Sequence, residues 1–279
     1  MKKILSLLLV TVLVISLVTA CDSNAKVKPI VIEDYFTEEE YGIGFRNEDI
    51  ALGLEVQKHL DEMYEDGTLI EISKKWFGKD TYLKDADFIE ESQAPEGDES
   101  LQKILDKGKL IMGLDDSFPP MGFRDKDNKI VGYDIDLAKE VAKRMGVELV
   151  LQPIDWDSKE LELISGKIDC IWNGMTITDS RVEEMYFVKP YIANRQIIIV
   201  GENSGIKTKS DLARKKVGLQ KGSSALNAVQ GDEIYSKIGK ITEYQNNVDA
   251  FNDLKVGRID VLVIDEVAGR YMIEKDSDK

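Results

Sequence analysis

The chain has 279 residues, 43% hydrophobic and 32% charged, enough apolar material to bury one large core or two medium ones. Its formal net charge of −15 repels nucleic acid and anionic membrane surfaces and favours solubility. With two cysteines, lipidation of one would leave no thiol pair for a metal.

Met1-Lys2-Lys3 and the uncharged run Ile4 to Ala20 pair a basic start with 17 residues at the short edge of a membrane span. Residues 1–20 therefore read as a signal peptide. Val18-Thr19-Ala20-Cys21 resembles a lipobox, whose cysteine is acylated and becomes the mature N-terminus. An ordinary signal peptide with an incidental cysteine, or a membrane anchor, are the alternatives. A lipid on Cys21 and a tether at 21–25 would hold an otherwise soluble body on the outer face of the cell membrane. Lipidation leaves Cys170 alone in an apolar strand, without a disulfide framework, and loss of Lys2 and Lys3 takes the charge to −17.

Val27 to Ile32 reads as a short strand, placed at a sheet edge by Pro29. Tyr41-Gly42-Ile43-Gly44-Phe45-Arg46 reads as a second, whose glycines allow close backbone approach. Leu52, Val56, Leu60 and Met63 fall on one stripe of a helix over 50–65, with Gly67 as its stop. His59 lies on this helix without a second ligand at metal spacing and reads as structural. Thr68 to Glu71 has the form of a capping box, opening a helix that ends at Gly78. Residues 79–99 are acidic, lack a period and read as a linker of roughly 20 residues, with a flexible reach of about 25 Å.

Beyond 100, strands at 110–114, 147–151, 168–172, 196–200, 216–219 and 259–264 interleave with helices at 134–145, 249–256 and 267–274. This alternation specifies βαβ units and mainly parallel sheets. No strand follows the last helix.

The chemistry concentrates in Asp169 to Arg181. The strand is expected to break at Asn173-Gly174, and strand ends are where α/β sheets present ligand sites. Thr176, Thr178 and Ser180 precede Arg181, so backbone N–H groups, a hydroxyl and a guanidinium fork can converge on a small anion. The alternative is that Arg181 pairs weakly with Asp179, Glu183 or Glu184 on a wet helix start. Asp265, ending an apolar strand, has the alternative role of a helix N-cap. Ser223 and Ser224 have that of a simple helix start. Gly218 to Ser223 is rejected as a phosphate loop, because the glycine spacing is short and no lysine follows the second glycine. Phe118, beside Pro119-Pro120, reads as a pocket wall. Trp156 and Trp172 are open between wall and core.

Several stretches taken in order, Asp115 to Met121, Gly132 to Leu137, Asp169 to Arg181, Pro190-Tyr191, Val217 to Ser224 and Gly257 to Val267, resemble the extracellular solute-binding proteins of amino-acid ABC transporters, polar amino-acid group. The resemblance covers Leu101 to Lys279. Tyr41 to Arg46 and the helices ending Lys74-Lys75-Trp76-Phe77-Gly78 look like that family's carboxy-terminal section, yet here they come first. The chain thus resembles a natural circular permutant, with the usual ends joined through 79–99 and new ends cut between 279 and 26. Permutation is tolerated where the old ends are close and the cut falls in an exposed loop.

The resemblance implies an α/β fold of two Rossmann-like lobes with a hinge, the periplasmic-binding-protein type II, circularly permuted. Lobe I would comprise 100–194 and the helices of 41–78, lobe II 26–40 and 201–279, with hinge strands at 195–200 and at the start of 41–78. It implies that Arg181 grips an α-carboxylate, helped by the backbone N–H groups of Thr176 and Ser224. Asp265, the Thr176 hydroxyl and the Gly174 carbonyl would accept from the α-ammonium. Asp115 would face a polar or cationic side chain, with Phe118 and Trp156 as walls. The implied protein is a lipid-anchored extracytoplasmic monomer that captures a free amino acid for an ABC permease, without cofactor, metal or nucleic acid. An enzyme on the same scaffold, dehydratase-like, lacks a candidate base, and a ligand-sensing partner of a receptor stays open.

Overall fold

Residues 27–89 and 91–278 are described by the computed structural model, so the signal peptide, Cys21 and the tether lie outside the described residues. The two short strands expected before residue 50 are one, β1 (Pro29–Phe45). The acidic stretch between them carries no apolar pattern. Its ladder to a later strand runs from Pro29↔Gly201 to Tyr41↔Ile192, with irregularities between Val31 and Thr37.

Then come α1 (Ile50–Glu65), α2 (Thr68–Phe77), α3 (Ser100–Lys107), β2 (Lys109–Leu114), and the short strands β3 (Ser117–Phe118), β4 (Gly122–Arg124) and β5 (Ile130–Val131). These are followed by α4 (Tyr133–Met145), β6 (Glu148–Pro153), α5 (Lys159–Ile164), β7 (Cys170–Thr176), α6 (Asp179–Val182), β8 (Tyr186–Phe187) and β9 (Ile192–Gly201). The last part holds β10 (Lys216–Gln220), α7 (Ser224–Gln230), β11 (Lys240–Tyr244), α8 (Asn247–Lys255), β12 (Val261–Asp265) and α9 (Glu266–Ser277).

The main sheet runs β11-β10-β12-β9-β1-β7-β2-β6, with β8 beside β1. Its two flanks, β11-β10-β12 and β7-β2-β6, are parallel, whereas β1 and β9 run antiparallel to every partner. The expectation of mainly parallel pairing therefore holds at the flanks and fails at the centre. Two half-sheets joined by two long crossing strands result. The first half of β1 pairs with β9 alone, which suits Pro29 at its start. Its second half, with Tyr41, Ile43 and Phe45 fully buried, is interior.

One apolar cluster runs across both half-sheets, from α1 and β2 to β12 and α9, and a second lies on the β10-β12 side alone. Leu52, Val56, Leu60 and Met63 of α1 are fully buried against the β7-β2-β6 side, each contributing about 1.5–3 kcal/mol of transfer free energy. Val217, Leu219, Val261 and Val263 pack with Ile198 and Val200 on the other side.

Three local expectations change. The helix start at Thr68 has no side-chain cap; Gly67 occupies the cap position and the Asp66 carboxylate accepts from the Thr68 N–H. The strand does not break at Asn173-Gly174 but continues to Thr176, because its ladder with β1 holds Met175↔Gly42 and Thr176↔Tyr41. The break is a kink: Gly174 has φ +57°, and a Cβ there would lie 2.8 Å from the Phe118 ring. The segment 79–99 is not a free tether. Tyr82 is buried, bridges to Ile192 and hydrogen-bonds through its hydroxyl to Asp61, while the Glu91 carbonyl accepts from Tyr186.

Candidate ligand cleft between the half-sheets

Where β7 ends, Thr178 caps the short helix α6 by accepting from the Arg181 N–H at 3.3 Å. This turn sends the Arg181 side chain inward. Its Nη1 donates to the Thr176 carbonyl at 2.7 Å and its Nη2 to the Gly222 carbonyl at 3.2 Å, across the cleft. Glu160 lies 3.9 Å from Nε, and the pairing with Asp179, Glu183 or Glu184 does not occur. Lys159, buried, donates to the carbonyls of Trp156 and Gly222. Burial, then the neighbouring Arg181 charge, pushes its amine down to about 8.

Asp265 stands at the cap position of α9 without capping it. Its Oδ1 instead accepts from the Tyr41 hydroxyl at 2.8 Å, Asn194 Nδ2 at 2.8 Å and Gln196 Nε2 at 2.9 Å. Strand register causes this: Gln196 lies opposite Asp265, and Asn194 opposite Glu39. Burial, reinforced by the Glu39 charge, holds the Asp265 carboxyl well above its usual range.

At the third corner, Asp115 accepts from Ser117 and from Gln220 Nε2 at 2.7 Å, and Gln220 in turn accepts from Asn247. Burial raises the Asp115 carboxyl. Behind the floor, the Gly174 N–H donates to Asp134 at 2.8 Å, and the Tyr191 hydroxyl to the same oxygen at 3.0 Å. Full burial pushes Asp134 up to about 7.

Asp115, Phe118, Trp156, Gly174, Thr176, Arg181, Ser224 and Asp265 all line one cavity, together with Asn173, Gln220 and Ser223. Ser224 both opens α7 and faces this cavity. Trp156 lines it, whereas Trp172 is fully buried edge-on against Tyr191 and belongs to the core. His59 is buried on α1 against Glu62, away from the cavity. Cys170 is a free, buried thiol. The half-sheets meet at the rim through Lys221–Asp157 at 2.7 Å and Gln245–Asp155 at 3.0 Å, so the cleft is shut.

Sequence reasoning missed Glu39, Asn194, Gln196, Gln220 and Lys159. For Glu39 one signal existed: it is two residues before Tyr41, so in a strand both share a face. The glutamate run around it and the absence of an apolar pattern concealed that strand.

Residues 110–241 match the bacterial extracellular solute-binding proteins, family 3. A structure of an ABC uptake transporter substrate-binding protein from Streptococcus pneumoniae with bound histidine is 38% identical over 66% of this chain and 76% of that one, with a TM-score of 0.63. This chain belongs to that family. The L-cystine-binding protein TcyJ of Escherichia coli K12 is 36% identical over 64% of this chain, which spans 66% of TcyJ. The arginine-binding extracellular protein ArtP of Bacillus subtilis 168 is 33% identical over 62% of this chain and 67% of its own length. No helix among the described residues of this family member is long and apolar enough to cross a membrane.

Proposed function

We propose that this solute-binding protein captures a free α-amino acid with a polar or basic side chain between two lobes and delivers it to an ABC permease. The observation that carries this reading is that Arg181 and Asp265, from opposite half-sheets, line the same closed cavity. Arg181 would grip the carboxylate with the N–H groups of Thr176 and Ser224. Asp265, the Thr176 hydroxyl and the Gly174 carbonyl would take the ammonium. In a dry cleft a zwitterion is held because each charge meets its complement, where an unmatched charge would be costly. Asp115 and Gln220 stand at the side-chain end, flanked by Phe118 and Trp156. The ligands of relatives, cystine, arginine and histidine, agree in class with such a pocket. The ligand bridges the lobes and shifts the population to the closed form, which a permease can recognise.

The same proposal includes a lipid on Cys21, a monomer on the outer face of the cell membrane, and binding without catalysis. It includes the permuted order, with lobe I from 100–194 and the helices after β1, and lobe II from 201–279 and the start of β1. A thermal-shift screen of the twenty amino acids and L-cystine tests it. A ligand at one hundred times its Kd adds about 2.7 kcal/mol, which raises Tm by roughly 5–10 °C at this size. A chain that none of them stabilises is not an amino-acid receptor.

A further inference from the structure

Glu39 enters the cleft wall from behind. It is not among the cavity-lining residues, yet its Oε2 receives Thr176 Oγ1 at 2.9 Å, Gln196 Nε2 at 3.0 Å, Asn194 Nδ2 at 3.2 Å and Ser224 Oγ at 3.2 Å. Two of these donors come from β9, one from the end of β7 and one from the start of α7, so one carboxylate oxygen gathers both half-sheets and a crossing strand. Asn194 and Gln196 also donate to Asp265 Oδ1, so each amide nitrogen bridges the two acids, and Gln196 Nε2 lies 3.1 Å from Ser224 Oγ as well.

The consequence falls on Thr176. A threonine hydroxyl has one proton and two lone pairs. With the proton on Glu39, the oxygen that lines the cavity can only accept. Ser224 Oγ, 3.1 Å away, has one proton for either Glu39 or this oxygen, so at least one lone pair of Thr176 stays free for a ligand. Beside it stands Asp265, an acceptor once ionised, so this corner suits an N–H donor with several protons and a positive charge, serves an α-hydroxyl through one proton only and rejects a carbonyl oxygen.

Building on the amino-acid reading, we propose that Glu39 is a positioning residue: it fixes the Thr176 hydroxyl as an acceptor and so makes the cleft select an α-ammonium over an α-hydroxyl or α-keto group. Glutamine at 39 offers one acceptor oxygen in place of two and adds two protons, and an amide nitrogen turned to Thr176 leaves the threonine proton free to turn into the cavity and serve an oxygen. Selectivity at this corner is then set from outside the cavity by β1.

The test compares L-arginine with its 2-hydroxy analogue argininic acid, and L-histidine with imidazolelactic acid, by calorimetry on the intact protein and on Glu39→Gln. The wild type is expected to prefer the amino acid by a hundredfold or more, and the variant to reduce that ratio at least tenfold, chiefly by weakening the amino acid. An unchanged ratio, or equal weakening of both ligands, overturns the positioning role while leaving the amino-acid reading intact. A wild type that binds neither but is stabilised by another amino acid moves the comparison to that amino acid and its 2-hydroxy analogue, and one that binds no amino acid sinks both. Thr176→Val, which keeps Glu39 and removes the hydroxyl, is the second variant should Glu39→Gln fail to fold. It is expected to lower the ratio by a similar factor, and an unchanged ratio there also overturns the role.

Discussion

Gly222 and Asp157 meet where the two half-sheets close on each other. Gly222 has φ +69°, and a Cβ at that position would lie 2.8 Å from the Asp157 Cα, a contact with backbone that no rotamer relieves. The Gly222 carbonyl also receives both Arg181 and Lys159 from the opposite side. The closed state therefore needs a residue without a side chain at 222.

Gly222→Ala is expected to hold the cleft ajar and weaken ligand binding by about 10- to 100-fold. The left-handed backbone adds a cost of about 1–2 kcal/mol to folding. Small-angle scattering at saturating ligand checks the cause: the variant should keep the larger radius of the open form. Normal compaction with normal affinity would show that closure tolerates a methyl group there.

Arg181→Ala is expected to abolish measurable amino-acid binding, since truncating one partner of a buried charge pair costs about 2–5 kcal/mol or more. Arg181→Lys should recover only part, because an ammonium cannot reproduce the planar fork. The unliganded protein should lose little stability: the buried guanidinium bonds two carbonyls, and removing it also relieves the desolvation that lowers its own pKa. Calorimetry and thermal melts on the same samples decide this, and unaltered affinity would take Arg181 out of the site.

Much of this site was legible because its residues sit at motif positions on strong elements. Thr176 and Arg181 follow an apolar strand, Asp265 ends one, and Ser224 starts a helix after a glycine. Trp172 was left open since strand alternation alone cannot say which face meets a cavity. The hinge was the least legible part. In β1 the acidic stretch from Glu33 to Glu40 lies between two half-sheets, and only Tyr35 and Phe36 within it pack against apolar clusters, too few to impose a period-2 pattern, so the strand and Glu39 went unseen. The linker misled for the opposite reason: a few residues, Tyr82 and Phe88 by packing and Leu83, Glu91 and Asp98 by hydrogen bonds, dock a segment whose composition is otherwise that of a tether.

Two buried acids give the protein a pH dependence with a definite sign. Asp134, in contact with the Gly174 N–H of β7 and the Tyr191 hydroxyl, is held at about 7 against an ordinary value of 3.8. The folded state then binds more protons than the unfolded one between these values. This contribution is complete below about 4 and is lost as pH rises to about 7, amounting to about 4 kcal/mol. Asp134→Asn should therefore flatten the fall in Tm between about pH 4 and 7, and a slope equal to that of the wild type would count against it. Asp265 carries the same sign for folding and the reverse for binding. Its carboxyl is raised by burial and by Glu39, so an arriving ammonium must displace a proton. Affinity should weaken as pH falls below neutrality, with proton release visible in the buffer dependence of the binding enthalpy.

The proposed permutation makes a prediction about chain order. The Val27 N–H donates to the Lys255 carbonyl at 2.8 Å, and the Lys255 ammonium pairs with Asp276, so both ends of the described chain converge on the end of α8. Residues 92–97 are exposed, which makes them a suitable place for a new break. A reordered chain beginning at Gly97, running to Asp278, joined through a short Gly-Ser loop to Val27 and ending at Glu96 keeps every ladder of the sheet and the Tyr82 docking. Loop-length changes of this size shift stability by only about 1 kcal/mol. The reordered protein is expected to melt within about 5 °C of the original and to bind the same ligand. Deleting 27–78 instead removes β1 from the middle of the sheet, with Tyr41 and its bond to Asp265, and should abolish folding. If the reordered chain aggregates while the native order folds, the sequential order of the two halves matters to this protein, and the permutation account is wrong.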